Sequence, residues 1–310
     1  MNTNTQERDG IFRLAFQLVR QRLPRPSSDS PEPAKWNVFK EYLPHVVSLQ
    51  RVYSDGLSII TPFLGLSELF RDGGVLLWQR YISTDAMKLL NSAEAILDRL
   101  ECDEDHLRVD IHITTNLLIQ YFGISHRAES RYRLGKILEF RLKVPTTTLE
   151  DEIRLNNARA DYANSLLQFN DYKTAEPIYQ KCYKKCLDWG PEEANPFDCA
   201  KLNHHMAYCF MYRRDFEGAI RLAERAVALI GLFPGADKQL VLRYKFDLAC
   251  IVLQSGNVER ALEMHKLILT ARLDLQGRAS YFTLQSYYAV GALCSYLGRL
   301  DEAEYVSSLH

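Results

Sequence analysis

The stretch YANSLLQFNDYKTAEPIYQKC, Tyr162 to Cys182, carries a pattern from which the rest of the chain can be read. Ala175 serves as its reference point. Ala163 lies twelve residues before it, Leu166 nine before, Asn170 five before and Tyr172 three before; Tyr179 follows four after and Cys182 seven after. Helix axes approach closely only where side chains are short, so small residues at fixed offsets with large ones beside them fit two crossing helices. Asn170 suits the tight turn between those helices, and Asp171 suits the start of the second.

The same offsets return downstream. Around Ala219 they hold Ala207, Phe210, Arg214, Phe216, Ala223 and Ala226. Around Ala261 they hold Ala249, Val252, Gly256, Val258, His265 and Ile268, and around Ala303 they hold Gly291, Cys294, Gly298, Leu300, Ser307 and His310. Asp215, Asn257 and Asp301 stand near Asp171's place as helix starters. Two looser copies lie upstream. Ala86 has Gly74, Leu77, Tyr81, Leu90 and Ala93; Ala128 has Asn116, Ile119, Gly123, Tyr132 and Gly135. The reference residues Ala86, Ala128, Ala175, Ala219, Ala261 and Ala303 are 42, 47, 44, 42 and 42 apart. The spacing predicts an all-α chain of about six helix-turn-helix repeats. Linkers fall between them at Lys143–Asp151, Asp188–Cys199, Gly231–Lys238 and Leu275–Tyr281, which contain Pro145, Pro191, Pro196, Pro234 and Gly235. Thr148 with Asp151 fits a helix start.

This pattern resembles the tetratricopeptide repeat (TPR), and a spacing near 42 is similar to the long repeats of kinesin light chains. The resemblance runs from about Gly73 to the C-terminus. It implies a right-handed α-α superhelix, a TPR solenoid, whose first helices line a concave groove. Repeats occupy 61–310, with the last stopping inside its second helix at His310, which suggests a chain cut short or an end covered by a partner.

Residues 1–60 read as a helical adaptor. Ile11 to Leu23 is amphipathic, the Pro/Ser-rich stretch 24–34 is an exposed loop, and Lys35–Ser54 has an apolar face broken by Pro44. Trp36 with the string Tyr42-Leu43-Pro44-His45-Val46, ahead of such repeats, resembles the segment joining engine to repeat arm in fungal NLR-like STAND proteins with NB-ARC or NACHT domains. That resemblance implies a sensor or regulatory arm. No G-x-x-x-x-G-K-[ST] phosphate loop occurs in the 310 residues, so nucleotide-driven switching is not carried over.

Composition narrows the function classes. Lys+Arg total 38 and Asp+Glu 39, a balance that argues against a nucleic-acid partner. No apolar run has the length of a membrane span. Seven scattered cysteines form no disulfide framework, and the N-terminus has no signal-peptide pattern; both point to the cytoplasm. The set Cys182, Cys186, Cys199, His204 and His205 superficially suits zinc, but Cys182 already fills a core slot of the repeat, so neither metal nor cofactor is expected. His204-His205 has no carboxylate or nucleophile at a catalytic spacing, and the acidic run Glu101–Asp105 lacks the form of a calcium loop. The chain is therefore expected to be no enzyme.

The kinship with TPR proteins implies that the groove is lined by positions eight, eleven, fifteen and eighteen before each reference residue. These are Asn157, Ala160, Asn164 and Leu167; Lys201, His204, Tyr208 and Met211; Arg243, Phe246, Cys250 and Leu253; and Gln285, Tyr288, Ala292 and Ser295. Asn157, Asn164, Lys201, His204, Tyr208, Arg243, Phe246 and Tyr288 are the expected partner-binding residues. Amides would bond the backbone of a protein or peptide partner, aromatics would take its side chains, and the two cations would attract acids. The two-carboxylate clamp of chaperone-binding repeats is not reproduced, since Ala160 stands where a Lys is needed. A non-catalytic interaction scaffold is the expected function, with the regulatory arm as alternative.

Overall fold

The computed structural model describes residues 3–26, 36–56, 59–80, 82–101, 105–122 and 127–308. Among them are fourteen α-helices and no strand: α1 (Thr3–Arg22), α2 (Trp36–Asp55), α3 (Leu64–Gln79), α4 (Ser83–Leu100), α5 (Asp105–Phe122), α6 (Arg127–Lys143), α7 (Leu149–Gln168), α8 (Tyr172–Asp188), α9 (Pro196–Tyr212), α10 (Phe216–Leu232), α11 (Lys238–Gln254), α12 (Val258–Gln276), α13 (Tyr281–Tyr296) and α14 (Leu300–Ser307). From α3 onward each odd-numbered helix and its successor form one repeat. The chain divides into two compact units, Met1–Asp151 and Glu152–His310.

In the first unit α1 and α2 share one core with α3 and α4. Phe12, Val19, Phe39, Val46 and Tyr53 pack with Leu66, Phe70, Leu89 and Leu90. The α3–α4 crossing is close because a Cβ on Gly74 would lie 2.6 Å from Leu90 Cγ. Pro44 does not break α2, which runs through it and buries Phe39, Leu43, Val46, Leu49 and Tyr53 on one face. Asp72 is fully buried and is held by Arg20 at 2.5 Å and Arg71 at 3.1 Å. Burial raises its pKa even so, against the pull of both arginines.

One reference residue moves. Ala128 is exposed, whereas Ser130, Leu134, Ile137 and Arg141 are buried at the offsets that Ala175, Tyr179, Cys182 and Cys186 occupy in α8. With Ser130 as reference, the intervals from Ala86 to Ala175 become 44 and 45, and every reference residue is the fourth of its helix. Ser130 donates a short hydrogen bond to Asn116 Oδ1 on α5, which lets a hydroxyl occupy a slot that Ala fills elsewhere. Gly123, Tyr81, Cys102 and His310 lie outside the described residues, as do most of the Pro/Ser stretch and the acidic run.

In the second unit the turns follow the expected chemistry. Asn170, Arg214, Gly256 and Gly298, each five before its reference residue, all have positive φ, at 61°, 65°, 91° and 71°. Asp171, Asp215 and Asn257 accept from the backbone N–H of Thr174, Gly218 and Arg260 and so cap α8, α10 and α12. Asp301 is not the matching cap: α14 starts at Leu300, and the cap position is Arg299, which makes no such bond. The first turn of α7 is fixed reciprocally, with Thr148 Oγ1 accepting from Asp151 N and Asp151 Oδ2 accepting from Thr148 N. Across the Asp188–Cys199 linker a short 3-10 turn, Glu192–Ala194, precedes α9, whose first residue is Pro196.

Candidate functional site

The expected groove residues of the second unit lie on four first helices. Asn157 and Asn164 stand on α7, Lys201, His204 and Tyr208 on α9, Arg243 and Phe246 on α11, and Tyr288 on α13. The reference residues hold the repeats in register, so equal offsets on neighbouring first helices come side by side.

Two polar contacts result. Lys201 Nζ donates to Asn157 Oδ1 at 3.1 Å and meets Asp161 Oδ1 at 3.2 Å, joining α9 to α7. Burial disfavours the Lys201 ammonium, but the nearby carboxylates of Asp161 and Asp198 outweigh it and raise its pKa. His204 Nε2 lies 3.0 Å from Asp247 Oδ2, joining α9 to α11, and Tyr208 donates to the same carboxylate. Burial alone would raise the Asp247 pKa; the hydrogen bond and charge of His204, with Arg243, bring it below the ordinary carboxylate value. Burial and then Asp247 push the Tyr208 phenol well above its ordinary value, so it stays protonated as a donor.

The His204 ring stands edge-on to Tyr208 and also contacts Tyr244. His205 stacks on Tyr179 at 5.3 Å, and burial, with the charges of His204, Lys201 and Arg243, holds it well below the ordinary histidine value. Asn157, Asn164, Lys201, Tyr208 and Arg243 are half-buried and form the accessible part of this face. Lys201 meets acids already in place, so its charge is largely answered within the fold.

Phe246 and Tyr288 stand at the same offset as His204 but differ in exposure. Phe246 is buried with Leu242, Ala249 and Ile268, its ring edge against His265 and the Arg272 guanidinium 4.8 Å over it. Tyr288 is exposed on α13. Sequence reasoning missed Asp161 and Asp247, the two carboxylates that tie the face together. Both stand fourteen before their reference residues, as His205 does in the repeat between them, and that shared offset is the signal that would have found them.

Of the described cysteines, Cys182, Cys186, Cys199, Cys209 and Cys294 are buried and Cys250 is half-buried. Asn156 Nδ2 donates to Cys182 O at 3.0 Å and reaches Cys186 Sγ at 3.5 Å. Burial pushes the Cys182 thiol up to about 11. Cys186 donates to the Cys199 sulfur, which raises the first and lowers the second. Among the described residues no group of three or more His, Cys, Asp or Glu side chains is placed to hold a metal ion. No helix among them is long and apolar enough to cross a membrane.

No protein-family model matches the chain, and no curated protein sequence does. Solved structures do. NprR in complex with its cognate peptide NprX is 14% identical, with 97% of this chain and 77% of that chain covered and a TM-score of 0.67. The apo form of the quorum sensor NprR from B. thuringiensis is 14% identical over 97% and 86%, with a TM-score of 0.53. A putative kinesin light chain from Podosopora anserina, with nearly identical TPR-like repeats, is 16% identical over 64% and 89%, with a TM-score of 0.48. The fold is thus that of TPR-like helical repeats.

Proposed function

We infer that the chain is a non-catalytic protein-interaction scaffold that binds an extended peptide segment along the first helices of its second unit. The observation that carries this reading is the row of half-buried amide, cationic and aromatic side chains on α7, α9 and α11, held in place by the Lys201–Asp161 and His204–Asp247 contacts. Such a row is preorganised: its side chains are ordered before a partner arrives, which lowers the entropy cost of binding. A peptide complex among the solved structures of this fold, that of NprR with NprX, supports the choice of a peptide as ligand. Amides at Asn157 and Asn164 suit its backbone, and Tyr208 suits an apolar side chain.

The test starts from peptides selected against the full chain from a random display library. Asn164→Ala combined with Arg243→Gln should weaken the best peptide at least tenfold, about 1.4 kcal/mol, while helical content and a cooperative melt are retained. Lys201→Glu is a poorer probe because it would set a second carboxylate against Asp161. Undiminished binding by the double variant rules out this face.

A second reading keeps residues 1–60 as an adaptor and the repeats as the regulatory arm of a STAND-type ATPase. It draws on the Trp36–Val46 string and on the shared core of α1–α4. A phosphate-loop reading frame just upstream of the coding sequence is the outcome it requires.

A further inference from the structure

Cys186 on α8 and Cys199 on α9 stand at a junction between neighbouring repeats of the second unit. Cys186 lies eleven residues after its reference residue Ala175, and Cys199 twenty before Ala219. The same two places come together at the later junctions. Ile230 and Val241 belong to one apolar cluster, and Thr283 Oγ1 donates to the Arg272 carbonyl at 3.4 Å. A single short side chain thus reaches across to the facing backbone, and a disulfide spans such a gap with two. Only at the junction of α8 with α9 do both places hold a thiol, and there Cys186 donates to the Cys199 sulfur. Hydrogen bonds hold the pair from several sides. Asn156 Nδ2 on α7 reaches Cys186 Sγ at 3.5 Å, and Asn203 Nδ2 donates to the Cys199 carbonyl at 2.9 Å. Glu192, in the segment linking the two cysteines, accepts from Tyr183 at 2.7 Å, Asn203 at 3.0 Å and Arg225 at 2.6 Å.

We propose that Cys186 and Cys199 form a reversible oxidation site, at which hydrogen peroxide converts the two thiols to a disulfide that staples one repeat to the next. Cys199 is the attacking sulfur. The hydrogen bond from Cys186 lowers its pKa more than burial raises it, which favours the thiolate. That thiolate attacks one peroxide oxygen, the O–O bond breaks, and the departing hydroxide takes up the thiol proton as water; Cys199 is left as a sulfenic acid. The Cys186 sulfur then attacks the sulfenic sulfur. The S–S bond forms, the S–O bond breaks, and the oxygen leaves as water with the Cys186 proton. In sum two thiols and one peroxide give one disulfide and two waters, and a thiol reductant restores the thiols. Both sulfurs are buried, so the oxidant is a small one, admitted by local opening of the linking segment, and the reaction is slower than that of an exposed thiol.

The test uses the full chain, reduced, freed of reductant and exposed to hydrogen peroxide well below its melting transition. Trypsin cleaves after Lys185 and Lys201 and releases residues 186–201, a peptide that contains Cys186, Cys199 and no other cysteine. After denaturation and alkylation this peptide should be unalkylated and lighter by two hydrogens. Further cleavage after Glu193 should leave its halves joined until a thiol reductant is added. The oxidised chain should melt higher than the reduced one, because the bond restricts the unfolded chain. Cys182→Ala puts into α8 the residue that Ala226 supplies at the same place in α10, and it should oxidise as wild type does. Cys199→Ala should leave Cys186 open to alkylation. Alkylation of both cysteines in the peroxide-treated wild type overturns the proposal. So does a bond from Cys199 to Cys182, a sulfinic acid on one sulfur with no bond, or a disulfide that forms only once the chain has unfolded.

Discussion

His265 occupies a slot in α12 that Tyr179 fills in α8 and Ala223 in α10, and it does so as a buried ring whose Nδ1 has no hydrogen-bond partner. Burial, with the Arg272 charge, lowers its pKa to about 4 from the ordinary value near 6.5. The sign of the consequence is fixed. Above pH 6.5 the ring is neutral in both folded and unfolded chains and costs nothing. As pH falls, the unfolded chain takes up the proton first, so stability declines from pH 6.5 and levels off near pH 4, by about 3 kcal/mol. His205 is depressed in the same sense, so the whole chain loses stability to acid at more than one ring. His265→Leu should flatten part of that decline in denaturant titrations at pH 7 and pH 4.5. An identical pH dependence in the variant would show that the ring titrates elsewhere.

Helix starts give an internal comparison among the elements. Asp171, Asp215 and Asn257 cap three second helices of the second unit with side-chain oxygens, and α14 has Arg299 in that place without a bond. The first N–H groups of a helix lack internal partners, so an acceptor there is worth about 1 kcal/mol. Arg299→Asp should therefore raise stability by about that amount, and Asp215→Ala should lower it by about the same. Thermal melts of the two variants against wild type read both. The elements were legible because turn and cap chemistry is local: Asn170, Arg214, Gly256 and Gly298 take positive φ where the offsets placed a turn. The frame slipped only at α6, where the buried small residue is Ser130 rather than the exposed Ala128. Nothing local marks that serine as a core residue. Its burial depends on Asn116, fourteen residues earlier on a neighbouring helix. The candidate face was legible to a similar extent. Offsets chose Lys201 and His204, but their carboxylates are about 40 residues away and meet them only once the repeats stack.

At the scale of the whole molecule, near-zero net charge comes with charges matched repeat to repeat. Arg213 meets Glu176 at 2.8 Å, Arg260 meets Glu224 at 3.0 Å, and Lys266 meets Glu302. Exposed pairs of this kind contribute less than about 1 kcal/mol each, so cohesion must come from the cores. The first unit's main cluster draws on residues from Phe12 to Leu118, and the second unit's clusters run from Ala160 to Val306. Glu152, the first residue of the second unit, accepts a hydrogen bond from Trp189 Nε1 at 3.0 Å, and the Thr148–Asp151 capping pair that starts α7 lies just before it in the chain. Repeat arrays are stabilised by contacts between neighbours, so a run of repeats with an intact core needs nothing beyond its own ends. A fragment spanning 146–310 should therefore fold alone, with a helical spectrum and a cooperative thermal transition, and should bind the selected peptide as the full chain does. A fragment beginning at 152 loses the capping pair and should melt lower. A non-cooperative transition in the longer fragment would mean that the second unit depends on the first for its core.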